Sequence, residues 1–151
     1  MMSDGFHTVY LGLGSNLGDR EANITRATEL IGKHIGCLEA LSGLYRSEPW
    51  GFESENAFVN AVVRVATTLS PRQLLNATQK IERMMGKQKK HAPERASFVS
   101  VYHDRPIDID ILLYDDLQVC EPGLVIPHPL MQQRPFVMEP LGEVLEGNTL
   151  Q

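Results

Sequence analysis

Cysteine is scarce in this chain, which has only two in 151 residues. Cys37 and Cys120 are far apart and in no spacing typical of a metal or redox site, so two reduced thiols are expected. Long apolar runs are also lacking, and the first ten residues contain no basic segment that leads into an apolar one. These absences argue against a membrane span and a secretory leader, and they predict a cytoplasmic protein.

Positive charge is also in short supply, because 14 Lys and Arg face 19 Asp and Glu and leave a net charge of −5. General nucleic-acid binding needs a dominant positive surface and is therefore not expected. The basic residues are nevertheless uneven, and one segment contains Lys87, Lys89, Lys90, His91 and Arg95. A local cationic patch of this kind fits a small polyanionic ligand, although a solvated loop explains the charge equally well.

Two common catalytic motifs are missing. The chain has no GxxxxGK[ST] loop, so phosphate binding would depend on side chains and metal ions rather than on a P-loop. Ser15 has no Asp and His arrangement that indicates a catalytic triad, and Cys37 lies in a strand-like run. Nucleophilic catalysis therefore has no support.

The pattern of apolar residues predicts a single α+β domain over residues 1–151. Residues 7–13, 38–45, 58–66 and the run around residues 107–114 have strand character, and a short strand is expected near residues 118–120. Asp19 is a good N-cap for a first helix. Ser70, Pro71 and Gln73 form a capping-box pattern for a second helix, which Gly86 would close.

The order strand, helix, strand, strand, helix, strand is the split pattern of a ferredoxin-like sandwich, an antiparallel sheet with helices on one face. Residues 86–104 lack apolar periodicity and are expected to form a long, mobile catalytic loop or lid. The prolines after residue 121 restrict the end of the chain to loops and short helices near residues 130–133 and 136–139.

Asp108 and Asp110 are the clearest candidate metal ligands. They alternate with Ile107, Ile109 and Ile111, and alternate side chains of a strand point to opposite faces. The two carboxylates would therefore emerge on one face about 7 Å apart. Mg²⁺ is commonly held by one or two carboxylates together with substrate phosphates. The alternative is an edge strand with a solvated acidic face.

Two further segments have more than one interpretation. The glycines at positions 12, 14 and 18 have the wrong spacing for a dinucleotide fingerprint, so they indicate either a tight turn or a close approach of backbone to a planar ligand. His128 lies between Pro127 and Pro129, near Arg134. It is either a hydrogen-bonded surface residue or a phosphate contact.

Four blocks of sequence, taken together, resemble one family. They are residues 10–18 (YLGLGSNLG), residues 45–51 (YRSEPWG) with 58–60 (FVN), residues 105–114 (RPIDIDILLY), and residues 126–129 (IPHP) with 134–137 (RPFV). In this order they resemble 6-hydroxymethyl-7,8-dihydropterin pyrophosphokinase. The chain departs from the family at residues 102–105, where many relatives carry Trp-Gly-Pro-Arg and this chain has Tyr-His-Asp-Arg.

The resemblance implies a ferredoxin-like fold, ATP as co-substrate, two Mg²⁺ ions, and transfer of a pyrophosphoryl group to the pterin hydroxymethyl group with release of AMP, in folate biosynthesis. It implies catalytic roles for Asp108, Asp110, Arg105 and Lys87, and it implies that Asp108 and Asp110 are the metal ligands. Nucleotide contacts are implied at Gln79, Glu82, Lys87, Lys89, Lys90, Arg105, Ile111, His128 and Arg134. Pterin contacts are implied at Ser47, Glu48, Trp50, Phe58, Asn60 and Phe136.

Small-molecule substrates are the only partners that these observations imply, and a monomer is expected. One rival is a non-catalytic ferredoxin-like domain that binds a nucleotide or metabolite for regulation. A second rival is an enzyme of the same fold that moves one phosphoryl group and releases ADP. The nucleotide product formed from ATP, Mg²⁺ and the reduced pterin alcohol separates these possibilities.

Overall fold

A computed structural model describes residues 5–48, 57–86 and 106–145 of the chain. The elements are β1 (His7–Ser15), α1 (Arg20–His34), β2 (Gly36–Leu41), β3 (Tyr45–Ser47), β4 (Phe58–Thr67), α2 (Pro71–Met84), β5 (Asp108–Tyr114), β6 (Val119–Glu121), β7 (Leu124–Ile126), a 3-10 helix (Met131–Gln133) and α3 (Pro135–Val144).

The main sheet has the strand order β2-β4-β1-β5. Strand β3 also pairs with β4, along a different stretch of β4 from the one that pairs with β2. Every pairing is antiparallel, including that of the separate β6-β7 hairpin. Among the described strands, β1 is central and β5 lies at an edge of the sheet. This is the ferredoxin-like arrangement that the order of elements predicts.

Helices α1 and α2 pack on one face of the sheet. Their apolar residues, such as Ile31 and Ile81, form a core with odd-numbered strand residues such as Leu11, Val63 and Ile109. The starts of both helices are as predicted, because Asp19 accepts a hydrogen bond from Ala22 N, and Ser70 and Gln73 form the capping box. Within the described residues, no helix has the length and apolar character that a membrane crossing needs.

Helix α3 packs on the opposite face, which differs from the prediction of helices on one face only. Val137, Leu141 and Val144 recur at helical spacing and contact even-numbered strand residues, Tyr10 and Val62 among them. Pro140 lies inside this helix, which runs to Val144 rather than ending near residue 139. Apolar packing against the sheet outweighs the loss of one backbone donor at the proline.

Three predictions about the strands are wrong. The strand expected over residues 38–45 is divided into β2 and β3, with a register shift where β2 pairs with β4. Strand β7 lies in a region that the prolines indicated would be loops and short helices. Strand β1 continues through Gly14 and Ser15, so Gly14 belongs to the sheet and the turn contains Gly18, whose φ is +75°. Because Gly14 lies in β1, it is opposite Asn60 and Asp108 in the sheet.

Candidate active site

Asp108 and Asp110 lie on the same face of the sheet as α3. Their neighbours Ile109 and Ile111 are buried on the other face with α1 and α2, whereas the two aspartates are half-buried. In the register with β1, Asp108 is opposite Gly14 and Asp110 is opposite Gly12. Strand alternation therefore places both carboxylates together, as the sequence predicts.

The absence of a side chain at Gly14 lets Asn60 and Phe58 approach the backbone of β1 closely on this face. A Cβ atom built there would be 3.1 Å from Asn60 Oδ1 and 3.4 Å from Phe58 Cδ1. Gly14 is opposite Asn60 on β4 and opposite Asp108 on β5. Gly14 therefore lies between Asp108 and Asn60 in the sheet, with the Asn60 amide and the Phe58 ring against its backbone.

Asn60 is held in one orientation by strand β3. Its Nδ2 donates to Tyr45 O at 3.0 Å and to Ser47 Oγ at 2.9 Å. Both amide hydrogens are therefore used within the protein, and Oδ1 faces Gly14 as an acceptor. The arrangement suits a ligand that presents an N–H or NH₂ group to the strand.

Arg134 and His128 border Asp110 on the α3 side. Arg134 Nη1 is 4.0 Å and His128 Nε2 is 3.9 Å from Asp110 Oδ2. His128 N also donates to Leu112 O at 3.1 Å, which attaches this segment to the end of β5. Residues far apart in the sequence thus bring two basic side chains to the acidic pair.

The pKa of His128 is lowered from its ordinary value, first by burial and then by the positive charge of Arg134, while Asp108 opposes the shift. Leu130 N approaches His128 Nδ1 at 3.3 Å and donates to it. An Nδ1 that accepts has no proton, so the neutral ring carries its hydrogen on Nε2, the atom nearest Asp110. His128 therefore acts at neutral pH as a neutral hydrogen-bond donor.

Two aromatic residues lie on the same face. Phe58 is opposite Ser47 on β3 and its ring lies beside Gly14. Phe136 packs against the α3-side core, and the guanidinium carbon of Arg134 is 6.0 Å from the centre of its ring. The face thus offers both apolar surfaces and the polar Asn60 to a flat molecule.

Other residues implied by the family resemblance take different places. The side chain of Ile111 is buried with α1 and α2, so on the acidic face only its backbone is available. Glu82 is 6% exposed, and its Oε2 accepts a hydrogen bond from Ile109 N of β5 at 2.8 Å. Gln79 and Glu48 are exposed. Trp50, Lys87, Lys89, Lys90 and Arg105 lie outside the described residues.

The acidic pair suits a hard cation with further oxygen ligands. Within residues 5–48, 57–86 and 106–145, no group of three or more His, Cys, Asp or Glu side chains is arranged to hold a metal ion. Two carboxylates alone do not complete the octahedral shell of Mg²⁺, which commonly takes phosphate and water oxygens as well. The donor set therefore fits Mg²⁺ that arrives with a phosphorylated ligand.

The sequence misplaces one contributor to the site and gives no sign of another. The glycine spacing predicts Gly14 in a turn, although the alternation of Tyr10, Gly12 and Gly14 with Leu11 and Leu13 is itself a strand signal, with no side chain at two positions of one face. Arg20 was not considered, and its Nη1 donates to Ala57 O at 2.7 Å, directly before Phe58. No local pattern reveals this second contact, because it joins residues 37 positions apart.

Comparison with known proteins identifies the family of the chain. The sequence profile of the family 7,8-dihydro-6-hydroxymethylpterin-pyrophosphokinase (HPPK) matches residues 10–146. The chain belongs to the HPPK family. An HPPK relative from Porphyromonas gingivalis, named 2-amino-4-hydroxy-6-hydroxymethyldihydropteridine pyrophosphokinase, is 50% identical over 90% of this chain and 89% of its own length. A relative of the same name from Aquifex aeolicus is 39% identical over 91% of this chain and 79% of its own length.

Solved structures support the HPPK fold. The Plasmodium falciparum HPPK-DHPS A437G/K540E structure with pterin and p-hydroxybenzoate superposes with a TM-score of 0.69 at 16% sequence identity. The match covers 97% of this chain and 42% of the Plasmodium chain. This chain is therefore similar to one part of that longer protein, and the likeness concerns the fold.

Proposed function

We propose that this protein transfers a pyrophosphoryl group from ATP to the hydroxymethyl group of 6-hydroxymethyl-7,8-dihydropterin and releases AMP, a step of folate biosynthesis. The family membership and the names of its relatives support this activity. The single observation that carries it is the pair Asp108 and Asp110 on the α3 face of the sheet, with Arg134 and His128 close to Asp110.

Asp108 and Asp110 would hold two Mg²⁺ ions in this reaction. Bound Mg²⁺ would supply charge neutralisation on the ATP phosphates and polarisation of the attacked phosphorus. The protein's own task is to hold the two carboxylates on a rigid strand. A carboxylate there also provides an acceptor for the proton that the pterin hydroxyl loses.

Arg134 and His128 would bind the phosphates from the α3 side. The guanidinium has five N–H donors in a planar fork that suits phosphate oxygens, and the neutral His128 would add one donor at Nε2. Phosphoryl transfer depends mainly on such positioning and charge stabilisation. We include Lys87, Lys89, Lys90 and Arg105 in this role from the family resemblance alone, with Gln79 near the nucleotide.

The pterin would bind beside the cluster of Gly14, Phe58 and Asn60 on the α3 side of the sheet. Phe58 and Phe136 would cover the faces of the ring, and Asn60 Oδ1 would accept a hydrogen bond from an N–H at its edge. Ser47 supports Asn60 through its hydroxyl. Glu48 and Trp50 would line the pocket as the family resemblance implies. We further propose that the protein is a cytoplasmic monomer with one domain over residues 1–151 and Mg²⁺ as its metal.

The nucleotide product tests the proposal. The full chain would be incubated with ATP, Mg²⁺ and 6-hydroxymethyl-7,8-dihydropterin, and the products would be separated by ion-exchange chromatography. AMP and the pterin pyrophosphate are expected in equal amounts. ADP would indicate a single phosphoryl transfer, and ligand binding without any product would indicate a regulatory module. Either of these two results would overturn the proposal.

A further inference from the structure

We propose that Glu82 is a positioning residue: its carboxylate holds the backbone between Asp108 and Asp110 and thereby sets how the two carboxylates point. The proposal rests on the assignment of Asp108 and Asp110 as metal ligands under the proposed function. It gives Glu82 a role through the strand, not through the nucleotide.

Glu82 occupies an unfavourable place for a carboxylate. Its residue is 6% exposed, and removing a charged group from water is costly unless it is hydrogen-bonded. It also lies in the last turn of α2, where the helix dipole disfavours negative charge. An apolar residue would avoid both costs, so the carboxylate must be compensated by its contacts.

One compensating contact of Glu82 is with the edge of the sheet. Glu82 Oε2 accepts from Ile109 N at 2.8 Å, and this bond is buried. Strand β5 has β1 on one side and no other described strand on its other side. A backbone N–H at a free edge needs a partner from elsewhere, and Glu82 provides it from α2.

The bond acts at the centre of the acidic pair. Opposite residues in an antiparallel ladder alternate between hydrogen-bonded and non-hydrogen-bonded pairs. Because Ile109 directs its N–H away from β1, the N–H groups of Asp108 and Asp110 point toward β1, opposite Gly14 and Gly12. Three consecutive amides are thereby held from two sides, and twisting of the strand between the two carboxylates is opposed.

Amide exchange tests the contact itself. In the wild type, the Ile109 amide should exchange slowly in NMR measurements, although no described strand pairs with β5 on that side. Glu82→Met removes the acceptor at similar volume, Glu82→Asp keeps the charge but is shorter by a methylene group, and Glu82→Gln keeps an acceptor oxygen. Ile109 protection should be lost in the Met and Asp variants and retained in the Gln variant. Lys80→Met, an exposed change on the same helix, is the matched control.

Metal binding tests the positioning role without turnover. Mn²⁺ would be titrated into the full chain with a nonhydrolysable ATP analogue present, the analogue alone would serve as the reference, and free Mn²⁺ would be counted by electron paramagnetic resonance. Loss of a group that orients metal ligands typically lowers metal affinity 10–100-fold, and because Glu82 acts through the backbone we expect about tenfold for the Met and Asp variants. Glu82→Gln should stay within about twofold of wild type, since its acceptor remains. The Mg²⁺ concentration for half-maximal turnover should shift in parallel.

Several outcomes would overturn the proposal. A Glu82→Asp variant that binds Mn²⁺ as tightly as the wild type would overturn it. Fast exchange of the Ile109 amide in the wild type would also overturn it, and this measurement does not depend on any variant folding. Equal loss of ATP-analogue affinity in the Gln and Met variants with unchanged Mn²⁺ binding would assign Glu82 to the nucleotide instead. If Asp108→Asn leaves Mn²⁺ binding unchanged, the metal assignment under the proposed function fails, and that result is distinguishable because it involves no change at Glu82.

Discussion

Adding one methyl group at Gly14 should impair the site more than the fold. The Cβ of Gly14→Ala would lie 3.1 Å from Asn60 Oδ1, which is too close for an unperturbed contact. Asn60 does not move freely, because its Nδ2 donates to Tyr45 O and Ser47 Oγ. The Phe58 ring, 3.4 Å from the same Cβ, restricts the other direction. Relief therefore requires the Asn60 amide or the Phe58 ring to shift.

The expected cost follows from these contacts. Overpacking typically costs about 1–3 kcal/mol. Replacing Gly by Ala restores about 0.4–1 kcal/mol by restricting the unfolded chain. A net loss of about 1–2 kcal/mol would lower Tm by roughly 2–8 °C in a protein of this size. Misalignment of a buried acceptor costs about 1–3 kcal/mol, which corresponds to a pterin affinity lower by about 5- to 150-fold.

Isothermal calorimetry and thermal unfolding measure these two effects. Pterin Kd should rise in Gly14→Ala while the affinity for an ATP analogue with Mg²⁺ stays near wild type. Gly12→Ala is the matched control on the same strand and face, because the three atoms nearest to its Cβ would be Leu112 carbons at 3.4–3.6 Å, an ordinary contact. It should leave Tm and pterin Kd nearly unchanged. A Gly14→Ala protein that binds pterin as tightly as wild type would refute the placement of the pterin beside Gly14.

Three further predictions concern other parts of the molecule. Asp108→Asn should abolish most turnover at unchanged Tm, because it removes charge but not shape, and normal kinetics in this variant would end the metal assignment. In the metal-free protein, the pKa of His128 is lower in the folded than in the unfolded state, so the unfolded state binds a proton at His128 first as the pH falls. Unfolding free energy from urea titrations should therefore decline below about pH 6.5, less so in His128→Gln; identical slopes in the two proteins would contradict this. Ser70→Ala should cost about 1 kcal/mol of unfolding free energy through loss of the α2 capping box, with kcat unchanged, and an unaltered urea midpoint would count against the cap.

Much of this fold is predictable from local sequence. Asp19 at the start of α1 and the Ser70 and Gln73 pair at the start of α2 act on backbone groups within three residues, so the residues alone identify both helix starts. The alternation of Asp108 and Asp110 with Ile107 and Ile109 places the two carboxylates on one face of a strand before any partner strand is known. Period and capping are local properties, and for this reason they survive folding unchanged.

Strand ends and the position of α3 were not predictable in this way. The end of β1 beyond Gly14 depends on pairing with Asn60 and Asp108, which are 46 and 94 residues later in the chain. The division of β2 from β3 depends on how each pairs with β4: Leu41 is opposite Val63 and Tyr45 is opposite Asn60, so the chain from β2 to β3 has one residue more than the facing part of β4. Helix α3 contains Pro140, which argues locally against a helix, and its apolar contacts with the sheet decide the outcome.

The sequence by itself determined the two helix starts, the acidic pair on one strand face, and the blocks by which the family is recognised. Only the tertiary structure decided which residues meet that pair: Arg134 and His128 come to Asp110 from after β7, and Glu82 comes to Ile109 from α2. The physical reason is that strand periodicity fixes a direction within one element. A contact between elements depends on how the sheet is ordered and which face each helix covers, and these follow from burial summed over the whole chain.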